Sequence, residues 1–252
     1  MIFIAALRKE MIEQWRTYRL LVVVIVLTFF GMTSPLIAKL TPELMRLLPN
    51  GEDIVKLMPA PGMADAIGQY IKNTSQFALL LALFTTMGVV AQEKERGTAV
   101  LVLVKPLGRG AFLSAKFVAQ ALTFLVAIAV AGVAGYYYTV FIFGAPDGSA
   151  WLVMNILLWL YTLVYVAVTL LASTVATSQA VAAAAGFGAL LVLSALGALP
   201  AIGRYLPGQL VAWATLAFTD SSATFFPALG VSLAIIAACL IAAWVIFEGQ
   251  EI

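Results

Sequence analysis

Six stretches of this chain are apolar for long enough to cross a bilayer, and the polar positions collect between them. They lie at about residues 20–38, 75–92, 111–143, 151–176, 179–199 and 225–247. A spanning helix needs about 20 mainly apolar residues, because each adds 1.5 Å against a hydrocarbon core of about 30 Å. Each run is continuously apolar. A membrane barrel would instead alternate polar and apolar over about ten residues. The pattern therefore predicts an all-α membrane protein, a single transmembrane domain over residues 1–252 with six helical spans. Pro35 is expected to bend the far end of the first span, and the third is long enough to tilt or to project beyond the membrane.

Three further segments carry a pattern of their own. Residues 2–18 place Ile4, Leu7 and Met11 on one helical face, followed by Trp15, with Arg8, Lys9, Glu13 and Arg16 mostly elsewhere. This predicts an amphipathic helix in the plane of the interface. Residues 41–72 are broken by Pro42, Pro49, Pro59 and Pro61 and read as an outer loop with brief helices around Leu44–Leu48 and Ile54–Leu57. Residues 204–220 are too apolar for a free loop and are expected to cap the outer end or dip into the membrane edge. Tyr136, Tyr137 and Tyr138 either mark an interface or lie within the long third span.

Composition narrows the class. Of 252 residues, 63% are hydrophobic and 10% charged, against roughly 45–50% and 25% in soluble domains. The absence of His and the single cysteine, Cys239, exclude an ordinary zinc site and a disulfide within the chain. A net charge of +2 offers no nucleic-acid footprint. The first residues do not read as a signal peptide, because their apolar positions precede their charges.

Lys and Arg set the expected orientation. With the first residues cytoplasmic, that side receives Arg8, Lys9, Arg16, Arg19, Lys94, Arg96, Lys105, Arg109 and Lys116. The far side receives Lys39, Arg46, Lys56, Lys72 and Arg204. Nine against five places both ends in the cytoplasm. Localisation in the cytoplasmic (inner) membrane of a prokaryote is expected.

The charges are densest between the second and third spans, in "EKERGTAVLVLVKPLGRGAFLSAK", residues 93–116. Inside it, Thr98–Val104 is apolar all round but covers only about 10 Å as a helix, too short to span. Thr98 fits a helix N-cap, and Pro106 disfavours helix at Lys105. One side of such a stub can meet the bilayer or the spans; the other needs a second protein surface.

The ordered pattern resembles the segment between spans two and three of ABC-2-type permeases. It runs Glu93, Glu95, Arg96, Gly97, Thr98, an apolar stretch holding Leu101 and Leu103, then Pro106, Arg109 and Lys116. The resemblance extends more loosely to six spans, the interfacial helix and the long first outer segment. It implies that residues 93–110 contain a short cytoplasmic coupling helix seated in a separate ATP-binding-cassette ATPase. Glu93, Glu95, Arg96 and Arg109 would then orient the contact, and Leu101 and Leu103 would be buried in it. It also implies a second permease subunit, identical or different, flanking an export path.

No G-x-x-x-x-G-K-[ST] loop occurs in the sequence, so ATP and Mg are expected in the partner and no cofactor in this chain. The spans hold almost no ionisable residues, which disfavours an ion-driven secondary transporter. No cluster of Asp, Glu, His or nucleophilic Cys suggests an intramembrane enzyme acting on lipid. Gln76, Gln120, Asn155 and Gln179 are expected to hydrogen-bond between helices.

Overall fold

The computed structural model describes residues 2–49, 51–97, 108–219 and 224–250. These residues form eleven helices, with no strand among them. In chain order they are α1 (Ile2–Arg16), α2 (Arg19–Arg46), α3 (Gly51–Leu57), α4 (Met63–Thr86), α5 (Ala91–Glu95), α6 (Arg109–Phe143), α7 (Gly148–Val175), α8 (Gln179–Gly197), α9 (Pro200–Gly203), α10 (Gly208–Leu216) and α11 (Phe226–Glu248). Six are long and apolar enough to cross a membrane: α2, α4 continued into α5, α6, α7, α8 and α11.

Two boundaries differ from the sequence reading, and both shorten the outer segment. The first span does not stop near residue 38; α2 continues through Pro35 and Pro42 to Arg46. The second begins at Met63, not near residue 75. The segment expected over 41–72 thus shrinks to residues 47–62 around α3. The residue before each proline carries a hydroxyl that bonds back onto the preceding turn. Ser34 Oγ donates to Phe30 O, and Thr41 Oγ1 to Ile37 O at 2.7 Å. The start of α4 is fixed by Asp65, whose Oδ2 accepts the Gly62 N–H at 2.8 Å.

The middle of the bundle is made by α4, α6 and α7, the most buried spans, while α8 and α11 lie at its periphery. Close approach depends on missing side chains where α2 crosses α6. A Cβ on Gly31 would lie 2.8 Å from Ala131 O, and one on Gly135 would lie 2.8 Å from the Tyr70 ring. The main core there joins Leu27, Ala78, Ala82, Phe124, Ile128 and Val166. Ala182 and Gly186, a small-residue pair on α8, face inward too, Gly186 toward Leu83 and Thr169 and Ala182 toward Ala91 and Ala176.

One end of the bundle is closed by α10, whose Leu210 and Ala214 are fully buried with Tyr70, Trp151, Met154 and Leu158. Residues 208–216 are therefore a packed cap. Tyr136–Tyr138 lie inside α6; Tyr136 packs edge-on to Trp151, while Tyr137 is exposed. At 35 residues α6 extends about 52 Å, longer than a hydrocarbon core is thick.

Candidate functional site at the charged end of the bundle

Residues 98–107, with Thr98, Leu101, Leu103 and Pro106, lie outside the described residues. Their flanks are described, and they form the most polar part of the bundle. On the entry side the second span does not run straight. It leaves α-helical geometry after Thr86, turns through residues 87–90 and resumes as α5. Ser173 of α7 holds this break together. Its Oγ accepts the N–H groups of Val90 at 3.1 Å and Ala91 at 3.0 Å and donates to Met87 O at 2.7 Å. Ser173→Ala leaves two buried donors without that acceptor, at a cost of about 1–3 kcal/mol each. Its thermal unfolding midpoint in detergent is expected well below that of Ser173→Thr, which retains the hydroxyl.

Gly97 ends α5 with a φ of 68°, and its N–H bonds to Lys94 O at 3.0 Å. Left-handed backbone favours glycine because a Cβ is strained there. This turn lies immediately before the 98–107 segment. Arg96 is exposed beside it.

Within the bundle, charges converge from three elements. Lys116, two turns into α6, is 1% exposed. Its Nζ lies 3.1 Å from Glu10 Oε1, 3.2 Å from Glu10 Oε2 and 2.9 Å from Glu93 Oε1. The same ammonium sits 4.7 Å from the Phe112 ring centroid, a cation–π distance. Lys9 Nζ adds contacts to Glu10 at 2.9 Å, Glu13 at 3.2 Å and Glu93 at 2.9 Å. Burial pushes the Lys9 ammonium toward its neutral form, but Glu10 and Glu93 outweigh burial and hold its pKa above the ordinary lysine range.

Carboxylate oxygens of Glu10, Glu13 and Glu93 come within 4.8 Å of one another, close enough for a metal ion. Lys9 Nζ already bonds all three carboxylates, and Lys116 bonds two of them. The arrangement is an ion-pair network that ties α1 to both flanks of the 98–107 segment.

A second set of bonds joins those flanks to the other spans. Glu95 Oε2 accepts the Gln179 N–H at 3.2 Å at the start of α8, where a carboxylate complements the helix dipole. Lys94 Nζ donates to Thr174 O at 2.6 Å, near the end of α7, and to Gln250 Oε1 at 3.2 Å. On the exit side, Arg109 Nη1 donates to the carbonyls of Phe247 (2.6 Å), Glu248 (2.7 Å) and Gln250 (3.0 Å). Those carbonyls form the negative end of the α11 dipole.

The sequence singled out Glu93, Glu95, Arg96, Gly97, Arg109 and Lys116. The structure gathers all but Arg96 into these contacts around one short segment. Glu10, Lys94, Ser173 and Gln250 were missed. The pairing of Glu10 with Lys116 spans 106 positions and leaves no local signal.

Deeper polar side chains are used between helices. Tyr70 OH donates to Asn155 Oδ1 at 2.7 Å, and Asn155 Nδ2 to Trp151 O at 2.8 Å. Gln120 Nε2 donates to Thr85 O at 3.0 Å. Gln76 is exposed, and the Gln179 side chain packs beside Gly88.

Comparison with known proteins agrees with this architecture. The family model described as "ABC-2 family transporter protein" matches residues 4–251. The chain belongs to the ABC-2 transporter family. It is also 28% identical over 215 residues to a Bacillus subtilis (strain 168) protein described as "Uncharacterized transmembrane protein YxlG". That alignment covers 83% of this chain and 82% of the relative.

Proposed function

We propose that the chain is the permease subunit of an ATP-driven ABC-2 exporter. It forms part of the membrane path and takes its motion from a separate ATPase through residues 93–110. The observation that carries this reading is the bonded base around residues 98–107. Glu93, Glu95, Arg109 and Lys116 fix the two flanks of a short apolar stub to α1 and to the inner ends of α8 and α11. A lever needs such a base, because a loop on loose flanks would absorb a push rather than transmit it. Family membership supports the same role.

On this reading ATP and Mg sit in the partner, and no cofactor is held by this chain. A second permease copy, identical or different, completes the path. The protein resides in the cytoplasmic membrane of a prokaryote with both ends inside. Helix α1 lies along the inner interface. Ile4, Ile12 and Trp15 are exposed toward lipid, while Glu10 and Gln14 turn into the bundle.

The test is topological. In a Cys239→Ala background, a cysteine replacing Leu101 is expected to react with a membrane-impermeant maleimide in inside-out vesicles. It is expected to be protected in right-side-out vesicles. Reaction confined to the external face would reject the proposal.

A further inference from the structure

The contacts of Gln250 are unusual for a residue beyond the last helix. Its backbone oxygen accepts from Arg109, its side-chain oxygen from Lys94, and its Nε2 donates to Thr174 O at 3.2 Å. Lys94 precedes the 98–107 segment and Arg109 follows it. One residue from the opposite end of the chain therefore bonds to both flanks, 156 and 141 positions away in sequence.

The surroundings reinforce this junction. Phe247 is fully buried and stacks on Phe112 at a centroid distance of 5.5 Å with 7° between the planes. The Arg109 guanidinium lies 5.8 Å from the Phe247 ring centroid. Beneath them Val89, Val90, Leu113, Leu170 and Ala243 form one apolar cluster. This cluster joins the break in the second span to the starts and ends of α6, α7 and α11. Along its length α11 packs one stripe, Ala228, Ser232, Ile236, Ala243 and Phe247, chiefly against α7. Its inner end adds to that packing the polar bonds that reach the flanks of the segment.

We propose that residues Phe247–Gln250 act as a clasp that closes the base of the 98–107 segment and makes the sixth span move with it. Gln250 and Arg109 are positioning residues: they touch neither cargo nor nucleotide, but set which helix follows the lever. The clasp rests on the coupling reading for its purpose, though not for its geometry. A displaced segment shifts Arg109, which draws the α11 carbonyls with it. Gln250 prevents the entry flank from separating from the exit flank. Without the clasp the segment still meets its ATPase, but α11 is left behind.

The experiment has two arms and uses the full chain in lipid nanodiscs, with Cys239→Ala. In the first, Gly108→Cys and Gly249→Cys supply a pair for a short bis-maleimide, read by peptide mass spectrometry. Both glycines have negative φ, and a Cβ at either has no close neighbour. The intact chain is expected to form the crosslink. Arg109→Gln, which removes the guanidinium bonded to the Phe247, Glu248 and Gln250 carbonyls, is expected to lose it, and Gln250→Ala, which keeps those carbonyls but frees residue 250 from Lys94 and Thr174, is expected to weaken it. In the second arm the chain is purified with its ATP-binding-cassette subunit, and the crosslink is followed on adding ATP with vanadate.

The intact chain should show a nucleotide-dependent change in crosslinking that Gln250→Ala abolishes while ATPase capture remains. ATP turnover of the Gln250→Ala complex is expected to change about tenfold, within the usual range of coupling between sites. Unchanged crosslinking in both variants would overturn the clasp. Lost or weakened crosslinking with a normal nucleotide response and turnover would overturn its role in motion. Failure of the intact chain to capture any ATPase, with the crosslink behaving as expected, would reject the coupling reading and leave the clasp as a static joint.

Discussion

Lys116→Met is expected to destabilise the chain by about 3 kcal/mol, because it leaves a carboxylate pair in a site closed to solvent. Breaking a buried ion pair from one side typically costs about 3–5 kcal/mol, mostly through the uncompensated charge. The lower end applies here because Lys9 remains 2.9 Å from both Glu10 and Glu93. The check is a double-mutant cycle read by thermal unfolding in detergent. Glu10→Gln in the Lys116→Met background removes one stranded charge and is expected to recover much of the loss. The two single changes should therefore be far from additive. Lys9→Ala is the contrast, since its side chain is 43% exposed and exposed pairs contribute little. Additive losses from Glu10→Gln and Lys116→Met would mean that the network does not act as a unit.

The same residue shows where sequence reading ends. A lysine after the charged segment was visible, and so was its place in the family pattern. Sequence alone could only count it among the cytoplasmic positive charges. Its burial follows from tertiary contacts: α1 folds back on α6 because Tyr18 takes left-handed backbone geometry, with a φ of 59°. That reversal brings Glu10 to Lys116. The amphipathic pattern of α1 was legible, but which face turns inward was not. Glu10 and Gln14 face the bundle while Ile4 and Trp15 are exposed, the reverse of a soluble amphipathic helix. The inward face is the one whose carboxylate is paired, Glu10 with Lys9 and Lys116.

The spans were readable because each needs only length and continuous apolarity. Their ends were not, because a bilayer relaxes the rules that mark helix ends in water. Pro42 reads as a breaker, yet α2 passes through it. Conversely, at residues 87–90 Gly88 is the one local sign of a break, and "MGVV" is otherwise as apolar as its neighbours. That bend depends on Ser173, 82 and 83 positions from the two N–H groups it caps.

Leu101→Asp together with Leu103→Asp is expected to abolish ATPase capture while leaving the chain in the membrane. Burying one leucine contributes about 1.5–3 kcal/mol, so losing two removes about 3–6 kcal/mol before any charge is desolvated. At about 1.4 kcal/mol per tenfold, that is a loss of roughly a hundredfold to ten-thousandfold in affinity. Insertion should be unaffected, because Thr98–Val104 is too short an apolar run to span and its flanks are bonded independently through Glu93, Lys94, Arg109 and Lys116. The measurements are the amount of ATPase co-purifying per permease and the vanadate-sensitive turnover of the reconstituted pair. The Lys116 and Leu101/Leu103 variants separate two ways to fail: the first weakens the fold that carries the lever, the second leaves the fold intact and removes the grip. A double leucine variant that retained both normal capture and full turnover would show that the ATPase holds this protein elsewhere. The bonded base at residues 93–116 would then be an anchor for α1 and α11 and nothing more.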